Sequence, residues 1–267
     1  MVDYTISSIN IFPVKSLSGI SLFKSKVEER GFQYDRRWMI VDSDNLFMTQ
    51  RKFPQMVFID VKIEDGKLIF QHRINKANRL ELPLAEFPQK KVSVKVWEDT
   101  CEAVEYGKAI NDWFTGMLEY KCKLVYMPDR TERKTSTQYF SETKNVSFAD
   151  GYPFLIIGEE SLNFLNSKLI EPITMNQFRP NIVFSGGKEH DEDAWENIKI
   201  GHLNFSVGKP CARCVVTTIN PRNSKKGKEP LATLSKYRNV DNKILFGQNA
   251  ISHDYGIIKI GDKITVQ

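Results

Sequence analysis

Residues 56–70 read Met-Val-Phe-Ile-Asp-Val-Lys-Ile-Glu-Asp-Gly-Lys-Leu-Ile-Phe, and this stretch decides the class of the fold. β-branched and aromatic residues crowd Met56 to Ile63 and Lys67 to Phe70, and Asp65-Gly66 between them is a turn pair that tolerates positive φ. The pattern predicts two strands joined as a hairpin. Upstream, Ile6 to Phe12 and Trp38 to Val41 have the same texture. Downstream, Lys91 to Trp97 alternates valine with polar side chains, as a half-buried strand does. The first hundred residues are therefore expected to be mostly sheet.

Gly107 to Leu118 changes period. Ala109, Ile110, Trp113, Phe114, Met117 and Leu118 fall on one helical face, which predicts an amphipathic helix. Pro128 to Asn145 is polar and reads as a long loop, so the chain is divided near Tyr126 into residues 1–125 and 126–267. In the second part, Tyr152 to Ile157 is expected to be a strand and Gly158 to Leu169 a helix. Asn181 to Phe184, Ile198 to Ile200, Leu203 to Val207, Cys214 to Ile219 and Lys263 to Val266 are further strand candidates, and Glu229 to Arg238 is a short helix. No period of 20 to 50 residues repeats. The class is α+β, predominantly β, with mixed sheets curling into barrels and a few short helices.

The chain has 267 residues, 41% hydrophobic and 27% charged, enough to bury a sizeable core and without the bias of a disordered protein. No apolar run approaches the roughly 20 residues of a membrane helix, and the first ten residues lack the plan of a signal peptide. Its four cysteines are too few for a secreted disulfide framework. These features predict a cytoplasmic protein without membrane association. The net charge of +5 is partly local, with a basic loop from Arg222 to Lys228 and an acidic run from Glu189 to Glu196. Both read as solvated surface, and neither carries the interleaved aromatics of a nucleic-acid groove, so no nucleic-acid partner is expected.

Chemistry concentrates in Lys209-Pro210-Cys211-Ala212-Arg213-Cys214-Val215-Val216-Thr217-Thr218. A thiol beside a cation is a better nucleophile or soft-metal ligand than an ordinary buried thiol. Spacing alone leaves four readings: half of a zinc site, a redox pair, two buried structural cysteines, or one thiolate on a metal centre brought by a cofactor. Zinc lacks companions, because Cys101 and Cys122 are isolated and the histidines show no paired spacing. A redox pair belongs at a helix N-terminus, whereas Val215 to Thr218 looks like strand.

Seven ordered elements carry a resemblance. They are Ile11 to Ser16, Asp35 to Trp38, Thr49 to Arg51, Phe148 to Pro153, Asn176 to Ile182, Cys211 to Thr218 and Phe246 to Asn249. Together they resemble MOSC proteins, those with the molybdenum cofactor sulfurase C-terminal domain, preceded by its β-barrel N-terminal partner. Within that family the chain resembles the mitochondrial amidoxime reducing component and its bacterial counterparts. The resemblance implies an N-terminal β-barrel-like domain packed on a MOSC mixed β-barrel.

The resemblance also implies the molybdenum cofactor, with Cys214 as both metal ligand and catalytic residue. It assigns Lys15, Ser16 and Arg36 to the cofactor's phosphate, and Asp150, Arg179 and Asn181 to its pterin or metal side. Arg51 joins the cofactor set, with a surface or ion-pair role left open for it and for Arg37. Asp150 could instead cap the turn that follows it. The implied activity is reduction of N-hydroxylated compounds (amidoximes, hydroxylamines, N-hydroxylated bases) by two-electron oxygen-atom transfer. Electrons would come from a separate flavoprotein reductase or a ferredoxin- or cytochrome-type donor, since no cysteine-rich iron–sulfur motif follows the last strand. The rival reading is a carrier of cofactor or sulfur with no reductase activity of its own.

Overall fold

The computed structural model describes residues 2–267. It is mostly sheet, with a barrel-like N-terminal half and a closed barrel of seven strands, six from the second half and one from the start of the chain. The N-terminal half combines two antiparallel sheets. One runs in the order Trp38–Asp42, Cys122–Tyr126, Asp99–Glu105 and Lys90–Val96, and the other joins Ile59–Glu64, Lys67–His72 and Arg79–Pro83. The Asp65-Gly66 hairpin forms as its chemistry requires, with φ of 50° and 71° at the two turn residues. The helix Lys108–Leu118 closes this half by burying Phe114 and Leu118 against Trp38, Phe70 and Leu124.

The second barrel closes because Phe154–Gly158 pairs with Ile182–Ser185 on one side and with Lys243–Ser252 on the other. The first strand, Tyr4–Ile11, lies inside this barrel between Ile182–Ser185 and Lys263–Val266. The residues that follow it, from Phe12 to Ser16, therefore leave the second barrel directly toward the N-terminal sheets, where Val14 bridges to Trp38.

Three local expectations are corrected. Pro54–Phe58 is a turn of 3-10 helix, and the strand begins only at Ile59. The helix expected over Glu229 to Arg238 is the single turn Leu231–Leu234. Cys214 to Ile219 is not a strand: Val215–Thr218 forms a 3-10 turn. Its threonine hydroxyls explain the difference, because Thr217 Oγ1 donates to Cys214 O at 2.9 Å and Thr218 Oγ1 to Val215 O at 2.8 Å. These local bonds offer the β-branched run an alternative to a sheet ladder.

Candidate functional site

Lys15, Ser16, Arg36, Arg51, Asp150, Arg179, Asn181 and Cys214 all line one cleft between the two halves. They come from segments up to 199 residues apart (Lys15 to Cys214), and each is placed by its own local device.

Lys15 is buried, its backbone N–H bonded to Trp38 O. Its ammonium donates to Phe148 O at 2.8 Å and to Asp150 Oδ1 at 2.6 Å. Trp97 Nε1 donates to the same Asp150 oxygen at 3.0 Å. Desolvation pushes the Asp150 carboxyl up, but Lys15 and Trp97 outweigh it and hold the group below the usual carboxylate range. The Phe148 to Asp150 segment is fixed from behind by Arg133, which donates to Ser147 O and Ala149 O. Asp150 is thus an ion-pair partner of Lys15.

Arg36 pairs with buried Asp35 at 2.5 Å, and also donates to Asn181 Oδ1 at 3.0 Å and Arg179 O at 3.2 Å. Asn181 is spent internally, accepting from Arg36 and Leu155 N and donating to Asn10 O. It steadies Arg36 rather than offering a free amide to the cleft. Arg179 donates to Leu17 O at 2.6 Å. Desolvation, followed by the nearby Arg36, draws its guanidinium down to about 9, which still leaves it cationic at neutral pH. Arg51 stacks on Trp97, with Cζ 4.5 Å from the ring centroid. Arg37 points away and pairs with Asp129 at 2.7 Å.

Cys214 is exposed at the start of the 3-10 turn. Cys211 lines the same cleft and receives Arg213 Nη1 at 2.9 Å. Among the described residues, no group of three or more His, Cys, Asp or Glu stands together to hold a metal ion by itself. Arg51 Nε and Arg213 Nε are buried donors with no partner among the described residues.

Backbone strain marks the cleft. Ser16, Arg36, Trp97 and Arg179 are non-glycine residues with φ of 69°, 50°, 57° and 57°, a conformation held only where the surroundings over-determine it and one that gathers at functional sites. Trp97, Phe12 and Arg213 were not predicted as site residues. Trp97 ends an alternating strand and Phe12 a hydrophobic one, so both read as core; only the cationic neighbour of two cysteines hinted at Arg213.

The MOSC N-terminal beta barrel domain model matches residues 3–121, and the MOSC domain model matches residues 143–265. The chain is 30% identical to mitochondrial amidoxime-reducing component 1 of Mus musculus, over 97% of this chain and 81% of that protein. Its namesake in Homo sapiens is also 30% identical, over 97% and 82%. Molybdenum cofactor sulfurase of Arabidopsis thaliana is 30% identical over 92% of this chain, which spans only 32% of that longer protein. The expected cytoplasmic location is overturned by these names, which point to mitochondria. No helix among the described residues is long and apolar enough to cross a membrane. With both domain models matched in order and near-complete coverage by such relatives, the chain belongs to the MOSC family of molybdenum-cofactor-related proteins, with a MOSC N-terminal β-barrel domain followed by a MOSC domain.

Proposed function

We propose that this chain is an oxidoreductase that holds the molybdenum cofactor in the cleft and reduces N-hydroxylated compounds by two-electron oxygen-atom transfer, with electrons from a separate protein. The observation that carries the reading is the convergence of five cations, Lys15, Arg36, Arg51, Arg179 and Arg213, on a cleft with one exposed thiol, Cys214. The residues fit such a group. Among the described residues the buried donors Arg51 Nε and Arg213 Nε lack partners and no group of three or more metal-ligating side chains stands together, so one exposed thiol, Cys214, suits a metal whose other ligands arrive with the cofactor. When bound, the cofactor would supply the redox centre for oxygen transfer.

The chain's own work is to bind and orient. Lys15, Ser16 and Arg36 would take the anionic end through charge-assisted bonds. Asp150, pinned by Lys15 and Trp97, presents a carboxylate whose remaining lone pairs can accept from a donor-bearing pterin edge. Asn181 works through Arg36, and Arg179 walls the cleft beside it. The division at residue 125 gives two units in this reading, joined by the first strand, Tyr4–Ile11, which belongs to the second barrel, and its cellular place follows the mitochondrial relatives. The exposure of Cys214 and the likeness to cofactor sulfurases support a second reading, a carrier of cofactor or of sulfur on that thiol.

Metal and pterin content of protein purified from cells competent in cofactor synthesis tests the proposal. Near-equal molybdenum and pterin are expected, with the metal lost or disordered in Cys214→Ser. Neither group in either preparation would overturn it. Loaded protein inert with every reductase and N-hydroxylated substrate, or a persulfide on Cys214, would favour the carrier.

A further inference from the structure

Beneath the cleft, both Arg36 and Arg179 lie over one aromatic ring. Their Cζ atoms stand 4.4 Å and 4.2 Å from the centroid of Phe12. The ring is only 2% exposed and is held by its own backbone: Phe12 N donates to Asp35 Oδ1 at 2.7 Å, and Phe12 O accepts from Arg36 N at 2.9 Å. Gly19 makes room for it, since a Cβ there would fall 2.5 Å from Phe12 Cε1.

We propose that Phe12 is the positioning residue of a two-arginine anion clamp formed by Arg36 and Arg179, with Gly19 as the clearance that lets the ring occupy its place. The identity of the anion, the phosphate end of the bound cofactor, rests on the function proposed above, with Arg179 moved from the cofactor's pterin side to join Arg36 at its phosphate; the clamp itself rests on the geometry.

Two guanidiniums gathered in one cleft repel each other, and each long side chain must lose rotamer freedom to be held there. Their hydrogen bonds fix them only in part. Arg36 is tied to Asp35, Asn181 and Arg179 O, and Arg179 to Leu17 O. The electron-rich ring face attracts both cations and gives each a flat surface to rest on. Asp35 completes the arrangement, since one oxygen holds the Phe12 backbone and the other holds Arg36. Ring and arginines are therefore set by one carboxylate, and the clamp is ordered before a ligand arrives, which favours affinity by removing an ordering cost from binding. An aliphatic side chain would fill the same volume without the attraction.

The test is the affinity of the full chain, freed of cofactor, for inorganic pyrophosphate, measured by calorimetry across a salt series, with pterin retained on purification as an independent readout. Phe12→Leu is expected to weaken pyrophosphate binding roughly tenfold, the scale of losing desolvated cation–π contacts, and to flatten its salt dependence. Phe12→Tyr, which keeps a ring face, should bind within about threefold of the parent by the same reasoning. Gly19→Ala, which displaces the ring without touching either arginine, should reproduce the Phe12→Leu defect and covers the case in which Phe12→Leu does not fold. Folded Phe12→Leu and Gly19→Ala proteins that bind pyrophosphate like the parent, while Arg36→Ala and Arg179→Ala do not, would overturn the role of Phe12 and leave the cofactor reading standing. Unchanged binding in the arginine variants as well would overturn the clamp and the anion-binding reading together.

Discussion

Arg213 Nη1 lies 2.9 Å from Cys211 Sγ, so the arginine of the Cys-Ala-Arg-Cys run turns back to the first cysteine. Its other amine donates to Phe178 O at 2.6 Å, which ties it to the end of the 3-10 turn Met175–Gln177. The second cysteine begins the 3-10 turn and stays exposed. Two thiols three residues apart thus meet different surroundings, one held by a cation and one open to whatever enters the cleft.

Thiol labelling should separate these two cleft thiols from the two buried ones. Desolvation raises the Cys101 thiol, and it pushes Cys122 up to about 11, so both stay protonated and enclosed in the native fold. Iodoacetamide at neutral pH is expected to modify both cleft thiols, Cys214 through its exposure and Cys211 with a cation at its sulfur, leaving Cys101 and Cys122 untouched until the protein unfolds. Peptide mass spectrometry over a time course would show it. Native labelling of Cys122 as fast as Cys214 would contradict the burial described.

The Lys15–Asp150 pair gives a pH signature. Because the folded Asp150 carboxyl is held below its ordinary value, its contribution is present above the unfolded pKa of about 3.9 and is lost as pH falls through the folded value. Asp150→Asn is therefore expected to melt below the parent by a similar margin at pH 7 and at pH 5, since both exceed about 3.9. The gap should close only in stronger acid. A gap already closed at pH 5 would mean that Lys15 does not hold the carboxylate.

Glu192 runs the other way. It is fully buried, accepting from Gly158 N at 3.2 Å and Ser161 Oγ at 2.9 Å. Desolvation raises its carboxyl, with the backbone and Ser161 donors only partly opposing the shift. A raised folded pKa stabilises below the unfolded value, about 4.3, and that stability is lost as pH rises through the folded value. Glu192→Gln avoids the loss. Its melting temperature should exceed the parent's at pH 8 and converge with it on acidification toward about pH 4; a variant less stable than the parent at pH 8 would show that the charge is satisfied where it lies.

How far the sequence reveals this molecule depends on the range of the interaction. Lys91 to Trp97 and Gly107 to Leu118 declare themselves because a strand or helix face needs only its own period, and both form. The ten-residue strand Lys243–Ser252, central to barrel closure, went unpredicted. Its middle is Gly247-Gln248-Asn249, and Gly247 at φ 79° packs where a Cβ would sit 2.9 Å from Ile156 O, a demand set by another strand. The Cys214 run misled because hydroxyl-to-backbone bonds outweighed β propensity. At the cleft, all eight site residues were named through the resemblance and share one lining. Trp97 and Phe12 escaped because their partners, Asp150 and Arg179, are 53 and 167 positions away (150 − 97; 179 − 12).

The strained backbone of Ser16 separates stability from function. At an ordinary position glycine is less stable than alanine by roughly 0.5–1 kcal/mol, because it loses more freedom on folding. Ser16 has φ 69°, where an L side chain costs about 1–2 kcal/mol and glycine does not. The order should invert, with Ser16→Gly more stable than Ser16→Ala by up to about 1 kcal/mol in urea unfolding. Both variants lose the hydroxyl that lines the cleft, so both should retain less cofactor than the parent, and the more stable one should gain nothing in return. Glycine proving the less stable would mean that the turn relaxes out of the left-handed region once the hydroxyl is gone. In that case the bond from Gln50 to Ser16 O, 2.7 Å in the parent, would not be enough to hold the strain.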